Sequence, residues 1–222
     1  MRKILVLGGS GDIGSAVVHA FPNDKVTSLG SSHIDLSDKE SVDLFLKMNE
    51  SKFDTIIHSA GLNVVGDFAN TAMDDLEKSV RTNLLGFLPI IQANIPYWKT
   101  TGTGRVVVIS SLYGFLSRSG RMPYVISKHG LIGFVKTLAI ELGPIGATVN
   151  AVTPGYVNTK MTSKNNSQET IDNIVKGIPV GRMGSPEEIA SAVAFLASEQ
   201  NTYINGHDLV VDGGYSIGGF QG

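Results

Sequence analysis

Short apolar, β-branched runs alternate along this chain with longer helix-like segments. The runs at 2–7, 25–29, 55–58, 105–110, 148–152 and 208–211 read as strands. The segments 13–21, 39–49, 73–100, 124–142 and 186–198 read as helices. A continuous apolar stretch such as Val106-Val107-Val108-Ile109 suits a strand buried on both faces of a parallel sheet. Strand–helix alternation then implies right-handed βαβ units, and so an α/β fold built on a doubly wound parallel sheet with helices on both faces.

The length, 222 residues, fits one α/β domain spanning 1–222. Hydrophobic residues make up 42% of it and charged residues 17%, enough apolar material for a sizeable core. The formal net charge is −2 and no Lys/Arg run occurs, so neither nucleic acid nor an anionic membrane is an expected partner. The absence of cysteine excludes disulfides, thiolate catalysis and Cys-ligated zinc. The histidines lack metal-ligand spacing, so no metal site is expected. The apolar run after Met1-Arg2-Lys3 is too short for a signal-peptide core, and no stretch is long enough to span a membrane; a cytoplasmic protein is the expectation. The region 156–186, rich in Ser, Asn, Lys and Gly, stands where a substrate lid would be, with a short helix expected over 169–176.

The first strand runs into Gly8-Gly9-Ser10-Gly11-Asp12-Ile13-Gly14. Glycines here let the backbone turn tightly and approach a pyrophosphate closely. The free N–H groups at the start of the following helix favour that anion. Strand before and helix after is the context a dinucleotide loop requires, the alternative being a tight turn that binds nothing. At the end of the second strand, where an acid would hold a ribose 2′-hydroxyl, stand Gly30, Ser31 and Ser32. No acid repels a 2′-phosphate there, which favours NADP over NAD, although no arginine is present to grip the phosphate. His33-Ile34-Asp35-Leu36 follows at once. A full helical crossover between the second and third strands cannot fit in that space, and a clipped loop is expected.

Tyr124 and Lys128 stand four residues apart, one turn of helix, on one face. A free tyrosine, with a pKa of about 10, is a poor acid/base near neutrality, and a nearby ammonium would favour its phenolate. Ser111, just past the fourth strand, can polarise a substrate carbonyl. By itself a Tyr/Lys pair at this spacing is more often part of an ordinary amphipathic helix.

Taken together, these residues resemble the short-chain dehydrogenases/reductases over essentially the whole chain, most closely the group that includes 3-oxoacyl-carrier-protein reductases. Ser111 lies thirteen residues before Tyr124; Tyr124 and Lys128 match Y-x-x-x-K; Asn83 lies in Arg81-Thr82-Asn83-Leu84-Leu85-Gly86; and Asn150 to Thr159 matches N-x-x-x-P-G-x-x-x-T. The resemblance implies a Rossmann fold. It implies that Tyr124 exchanges a proton with the substrate oxygen, that Lys128 lowers the tyrosine pKa and holds the nicotinamide ribose, and that Ser111 orients the substrate. Asn83 would keep a water in a relay behind Lys128. Gly8, Ser10, Gly11, Ile13 and Gly14 would surround the pyrophosphate, with Ser31 at the adenosine end. Asp35 and Leu36 would lie against the adenine, Ala60 and Gly61 beside the ribose, and Pro154, Val157 and Thr159 over the nicotinamide. The glycine loop is one residue shorter than the family's usual one. His58-Ser59-Ala60-Gly61 replaces the usual N-N-A-G, and a structural role is expected for His58.

The implied activity is NAD(P)-dependent interconversion of a carbonyl and an alcohol. A 3-oxoacyl thioester, free or carrier-bound, is the leading substrate class, and a keto-sugar or polyol the alternative. Side chains beside Ser111, such as Leu112, Tyr113 and Phe115, would set specificity. A homotetramer or homodimer through the helices at 73–100 and 124–142 is implied by the same resemblance. A non-catalytic NADP-binding regulator is the contrasting class, since fold alone does not fix function.

Overall fold

The computed structural model describes residues 1–49 and 52–218. Six strands, β1 (Lys3–Leu7), β2 (Lys25–Leu29), β3 (Thr55–His58), β4 (Gly104–Ile109), β5 (Ala147–Pro154) and β6 (Asp208–Val211), form one sheet in the order β2-β1-β3-β4-β5-β6. Every pairing is parallel. The sheet is buried on both sides, and successive strand residues divide between two cores. Leu5, Leu7, Ile56, Val106 and Val108 face one apolar cluster. Ile4, Val6, Ile57, Val107 and Ile109 face the other. That period-2 division is why the strands read as unbroken apolar runs.

The first cluster is closed by α2 (Lys39–Met48), α4 (Leu88–Thr101) and α5 (Met122–Leu142), through Val42, Phe45, Ile90, Trp98, Leu131 and Val135. The second is closed by α1 (Asp12–His19) and α8 (Pro186–Leu196), through Val17, Ile189, Val193 and Leu196. Ser185 and Glu188 cap α8 reciprocally. The predicted doubly wound sheet is therefore the observed one.

Two expectations about the connections need correction. The clipped loop exists at 30–38, and the helix expected over 39–49 follows it as α2, capped by Asp38, so the crossover from β2 to β3 that the loop was thought to exclude is helical after all. The continuous helix expected over 73–100 is interrupted. It consists of α3 (Met73–Val80), a π turn (Arg81–Leu85) and α4, with Pro at the start of α4. The π turn is closed by the Gly86 N–H on the Arg81 carbonyl at 2.8 Å. Gly86 lies so close to Leu36 that a Cβ there would stand 1.9 Å from the Leu36 carbonyl oxygen. The segment 156–186 holds α6 (Lys160–Asn165), which the sequence did not announce, and α7 (Gln168–Lys176), which it did. A bridge between Val157 and Gly184 ties the two ends of this segment together.

Candidate functional site

The chain leaves β1 for β2 on one side and returns to β3 on the other, so the loops after β1 and β3 diverge at the carboxyl ends of neighbouring strands. That switch point is where open α/β sheets bind ligands. A cleft of about 440 Å³ opens there, lined by Gly8, Ser10, Gly11, Ile13, Gly14, Ser31, Ala60, Gly61, Ser111, Tyr124, Lys128, Pro154, Val157 and Thr159. Gly8 has φ +83° and packs on the next loop, where a Cβ would lie 2.4 Å from the Ala60 nitrogen. Gly14 lets α1 start directly beneath the turn, where a Cβ would be 2.1 Å from the Gly8 carbonyl oxygen. Gly11 is the N-cap of α1 and supplies no side-chain cap, which leaves the first amides of that helix free for an anion.

Neither of the two residues expected against the adenine is among those lining this cleft. Leu36 is drawn into the core at 5% exposure, and the Asp35 carboxylate instead accepts from the Ser37 amide and hydroxyl at 2.8 and 2.6 Å. Asp35 and Leu36 are absent from the lining because the loop after β2 turns inward to seat Ile34 and Leu36 against α2 and α4. Phe115, expected near the substrate, stands 43% exposed and lines neither the cleft nor the smaller chamber beside it, while Leu112 and Tyr113 line the chamber.

Tyr124 and Lys128 lie on α5, and Ser111 caps the short turn after β4. Burial pushes the Tyr124 phenol up to about 12; the Ser111 hydroxyl beside it pulls the other way. Burial pulls the Lys128 ammonium down to about 7. Its Nζ donates to the Ile109 carbonyl at 2.7 Å and stands 5.5 Å from the Tyr124 ring centre. Its charge is turned to a backbone carbonyl, and desolvation dominates both groups.

Asn83 is fully buried on the π turn. Its Oδ1 accepts from the Leu62 amide at 2.7 Å, and its Nδ2 donates to the Leu62 carbonyl at 2.9 Å and to the Ser127 hydroxyl at 2.8 Å. The side chain thus braces the loop after β3 against α5. His58 is the structural residue it was expected to be. Its ring stacks on Phe87 with centres 4.0 Å apart, and its Nε2 donates to the Asn83 carbonyl at 3.0 Å. Burial, then the charge of Lys128, holds His58 down to about 3.

Other residues at the site were not picked out from the sequence. Asp12 accepts from the Lys160 amide at 2.7 Å and so ties the start of α6 to the glycine loop. Arg118, Arg121, Asn63, Tyr156, Asn165 and Asn166 line the chamber of about 100 Å³ that opens beside Ser111 and Tyr124. The one sequence signal for this group was a pair of arginines three residues apart between Ser111 and Tyr124.

A family model described as enoyl-(acyl carrier protein) reductase matches residues 14–216. A 3-oxoacyl-[acyl-carrier-protein] reductase of Aquifex aeolicus is 35% identical over 214 residues, covering 95% of this chain and 86% of that one. Among solved structures, a Beutenbergia cavernae protein described as a candidate NAD(P)-dependent gluconate 5-dehydrogenase, with NADP bound, superposes with a TM-score of 0.91 at 25% identity over 97% of both chains. A 4-hydroxyisoleucine dehydrogenase complexed with NADH superposes at 0.89 with 25% identity, over 98% of this chain and 100% of that one. Among the described residues no helix is long and apolar enough to cross a membrane. With its glycine loop, switch-point cleft and Ser–Tyr–Lys arrangement, this chain belongs to the short-chain dehydrogenase/reductase family and is an NAD(P)-dependent oxidoreductase acting on a C=O or CH–OH group.

Proposed function

We propose that the chain reduces a ketone to a secondary alcohol, with Ser111, Tyr124 and Lys128 as its catalytic residues and NADP(H) preferred over NAD(H). The observation that carries this reading is a single cleft lined at one end by the glycine loop and at the other by Ser111, Tyr124 and Lys128. The bound nicotinamide supplies the hydride. Gly8, Ser10, Gly11, Ile13 and Gly14 would hold the pyrophosphate, and Ala60 and Gly61 the adjoining ribose. Ser31, with no acid beside it, leaves room for a 2′-phosphate, which supports the NADP preference. Pro154, Val157 and Thr159 would bound the nicotinamide end.

Ser111 caps its own turn by accepting from the Tyr113 amide at 3.2 Å, which leaves its hydroxyl proton to donate to a substrate carbonyl. Tyr124, raised to about 12 by burial, is protonated throughout the neutral range and so holds the proton that reduction needs, and a charged Lys128 beside the bound nicotinamide ribose would have to favour the phenolate left behind. Lys128, within reach of the same end of the cleft, would hold the nicotinamide ribose when charged. Asn83 would act through Ser127 and the loop after β3, with no direct contact to substrate. The segment 156–186 would close over the substrate, fastened by the Asp12–Lys160 contact.

A 3-oxoacyl thioester is the substrate class supported by the curated relatives. A keto-sugar is the second reading, favoured by the polar chamber of Asn63, Arg118, Arg121, Asn165 and Asn166. We also place the protein in the cytoplasm as a homotetramer or homodimer. Exposed apolar residues on the π turn and α5, Leu85 at 44%, Ile126 at 46% and Ile140 at 77%, support the assembly, and a monomer mass in light scattering would refute it. The catalytic reading is tested with NADPH oxidation against 3-oxoacyl thioesters, keto-sugars and diketones. Tyr124→Phe should lower turnover by roughly 10²–10⁴-fold while leaving NADPH affinity intact; undiminished turnover would remove Tyr124 from the mechanism.

A further inference from the structure

Arg118 and Arg121 both reach the chamber of about 100 Å³ that Ser111 and Tyr124 also line. Arg121 is only 5% exposed. Its guanidinium meets neutral acceptors: Nη1 donates to Asn63 Oδ1 at 3.4 Å and Nη2 to the Asn165 carbonyl at 3.0 Å. Arg118 Nη1 donates to the Tyr113 hydroxyl at 3.5 Å and to Asn166 Oδ1 at 3.3 Å. Several of these bonds are long, and they occupy a minority of the five N–H donors on each group. No Asp or Glu lines the chamber, nor the groove of about 760 Å³ that continues from it past Tyr113 and Tyr156. Among the described residues, Arg2 and Arg182 have carboxylate partners in Asp24 and Glu188, whereas neither Arg118 nor Arg121 is in an ion pair.

A guanidinium cannot shed its proton at working pH, and burying a charge without a counter-charge is costly. The cost falls on Arg121: after burial itself, the charge of Arg118 is the next influence holding it below its ordinary value, whereas Arg118 is held above its own by the bond to Tyr113. An arriving anion would relieve that cost. The cofactor does not supply it, because neither arginine lines the cleft that holds the glycine loop. The chamber shares Ser111 and Tyr124 with that cleft. An anion held there lies only a few bonds from a carbonyl at those two residues. A planar carboxylate matches the fork of an arginine and accepts from it in bidentate fashion.

We propose that Arg121, assisted by Arg118, is a specificity-determining residue that binds the carboxylate of an acidic ketone, an oxo acid or keto-sugar acid, while Ser111 and Tyr124 address its carbonyl. This deepens the ketone-reductase reading and rests on it. The rival role for the two arginines is mechanical, since Asn165 and Asn166 end α6 and the same bonds fasten that helix over the chamber.

The NADPH-saturated enzyme is assayed with 3-oxobutanoate and 4-oxopentanoate and with the methyl ester of each. The acids should be reduced with a kcat/KM about 10- to 100-fold above their esters, the range of one or two charge-assisted hydrogen bonds, expressed mainly in KM. Arg121→Gln should abolish that advantage with little change for the esters, Arg121→Lys should restore part of it, and Arg118→Gln should act in the same direction. Equal kcat/KM for acid and ester, or an Arg121→Gln variant that slows both alike, overturns the proposal. Esters turned over in a Tyr124-dependent way without any preference for acids would do so while leaving ketone reduction standing. Should neither kind of ketone be reduced, calorimetric titration of 3-hydroxybutanoate into the NADP⁺-loaded protein decides. No binding refutes the proposal, and binding that is lost in Arg121→Gln upholds it.

Discussion

Replacing Asn83 by alanine removes a side chain that is fully buried and fully engaged. Its three hydrogen bonds do not carry equal weight. The Leu62 carbonyl keeps a second donor in Ser79 Oγ at 3.2 Å, and the Ser127 hydroxyl keeps its own bond to the Tyr124 carbonyl at 2.8 Å. The Leu62 amide, which donates to Asn83 Oδ1 at 2.7 Å, loses the partner the structure gives it. One stranded N–H costs roughly 1–3 kcal/mol, and each lost bond whose other end keeps a partner about 0.5–1.5 kcal/mol. Because Leu62 is only half-buried, the low part of that range applies, and the total comes to about 2–4 kcal/mol. For a chain of this size each kcal/mol lowers Tm by about 2–4 °C. Thermal unfolding of Asn83→Ala followed by circular dichroism should therefore show a fall of roughly 4–16 °C. A shift below about 1 °C would mean that the loop after β3 is held by something other than Asn83.

His58 is neutral and held down to about 3 in the fold, against about 6.5 when free, so the unfolded chain binds the extra proton first. Its contribution is complete above pH 6.5 and is lost as pH falls from there towards 3. Urea unfolding should show wild type losing up to about 1.4 kcal/mol per pH unit more than His58→Asn in that window, and parallel curves would refute it. Gly14→Ala places a methyl group against the Gly8 carbonyl, 2.1 Å from its oxygen, and should weaken NADPH binding by at least about tenfold in fluorescence titration through overpacking of the phosphate loop; unchanged affinity would show that this turn does not hold the pyrophosphate. Ser31→Asp introduces at the cleft the acid missing from the end of β2, and the ratio of kcat/KM for NADPH over NADH should fall by at least about tenfold, an unchanged ratio ruling out Ser31 as the discriminating position.

The strands and the Ser111, Tyr124 and Lys128 positions were legible from the chain alone, for two reasons. A sheet covered on both faces demands uninterrupted apolar residues, so Val106 to Ile109 could hardly be anything else. A pair such as Tyr124 and Lys128 is local to one helix, and its spacing survives in the sequence. The break at Arg81–Leu85 was not legible, because hydrophobic periodicity does not record an i→i−5 hydrogen bond. The π turn follows from Asn83 reaching inward to Leu62 and from Gly86 lying against Leu36, contacts between segments remote in sequence. The inward course of Leu36, which takes it and Asp35 away from the cleft, has the same origin. The protonation behaviour of Tyr124 and Lys128 also belongs to the tertiary structure, because its leading cause is burial and the Lys128 ammonium is turned to the Ile109 carbonyl. Nothing in the composition singles out Arg118 and Arg121, and only the meeting of α6 with the segment after β4 brings them to one chamber. Apolar periodicity and short-range spacing are written along the chain, whereas desolvation and long-range contacts exist only once distant segments meet.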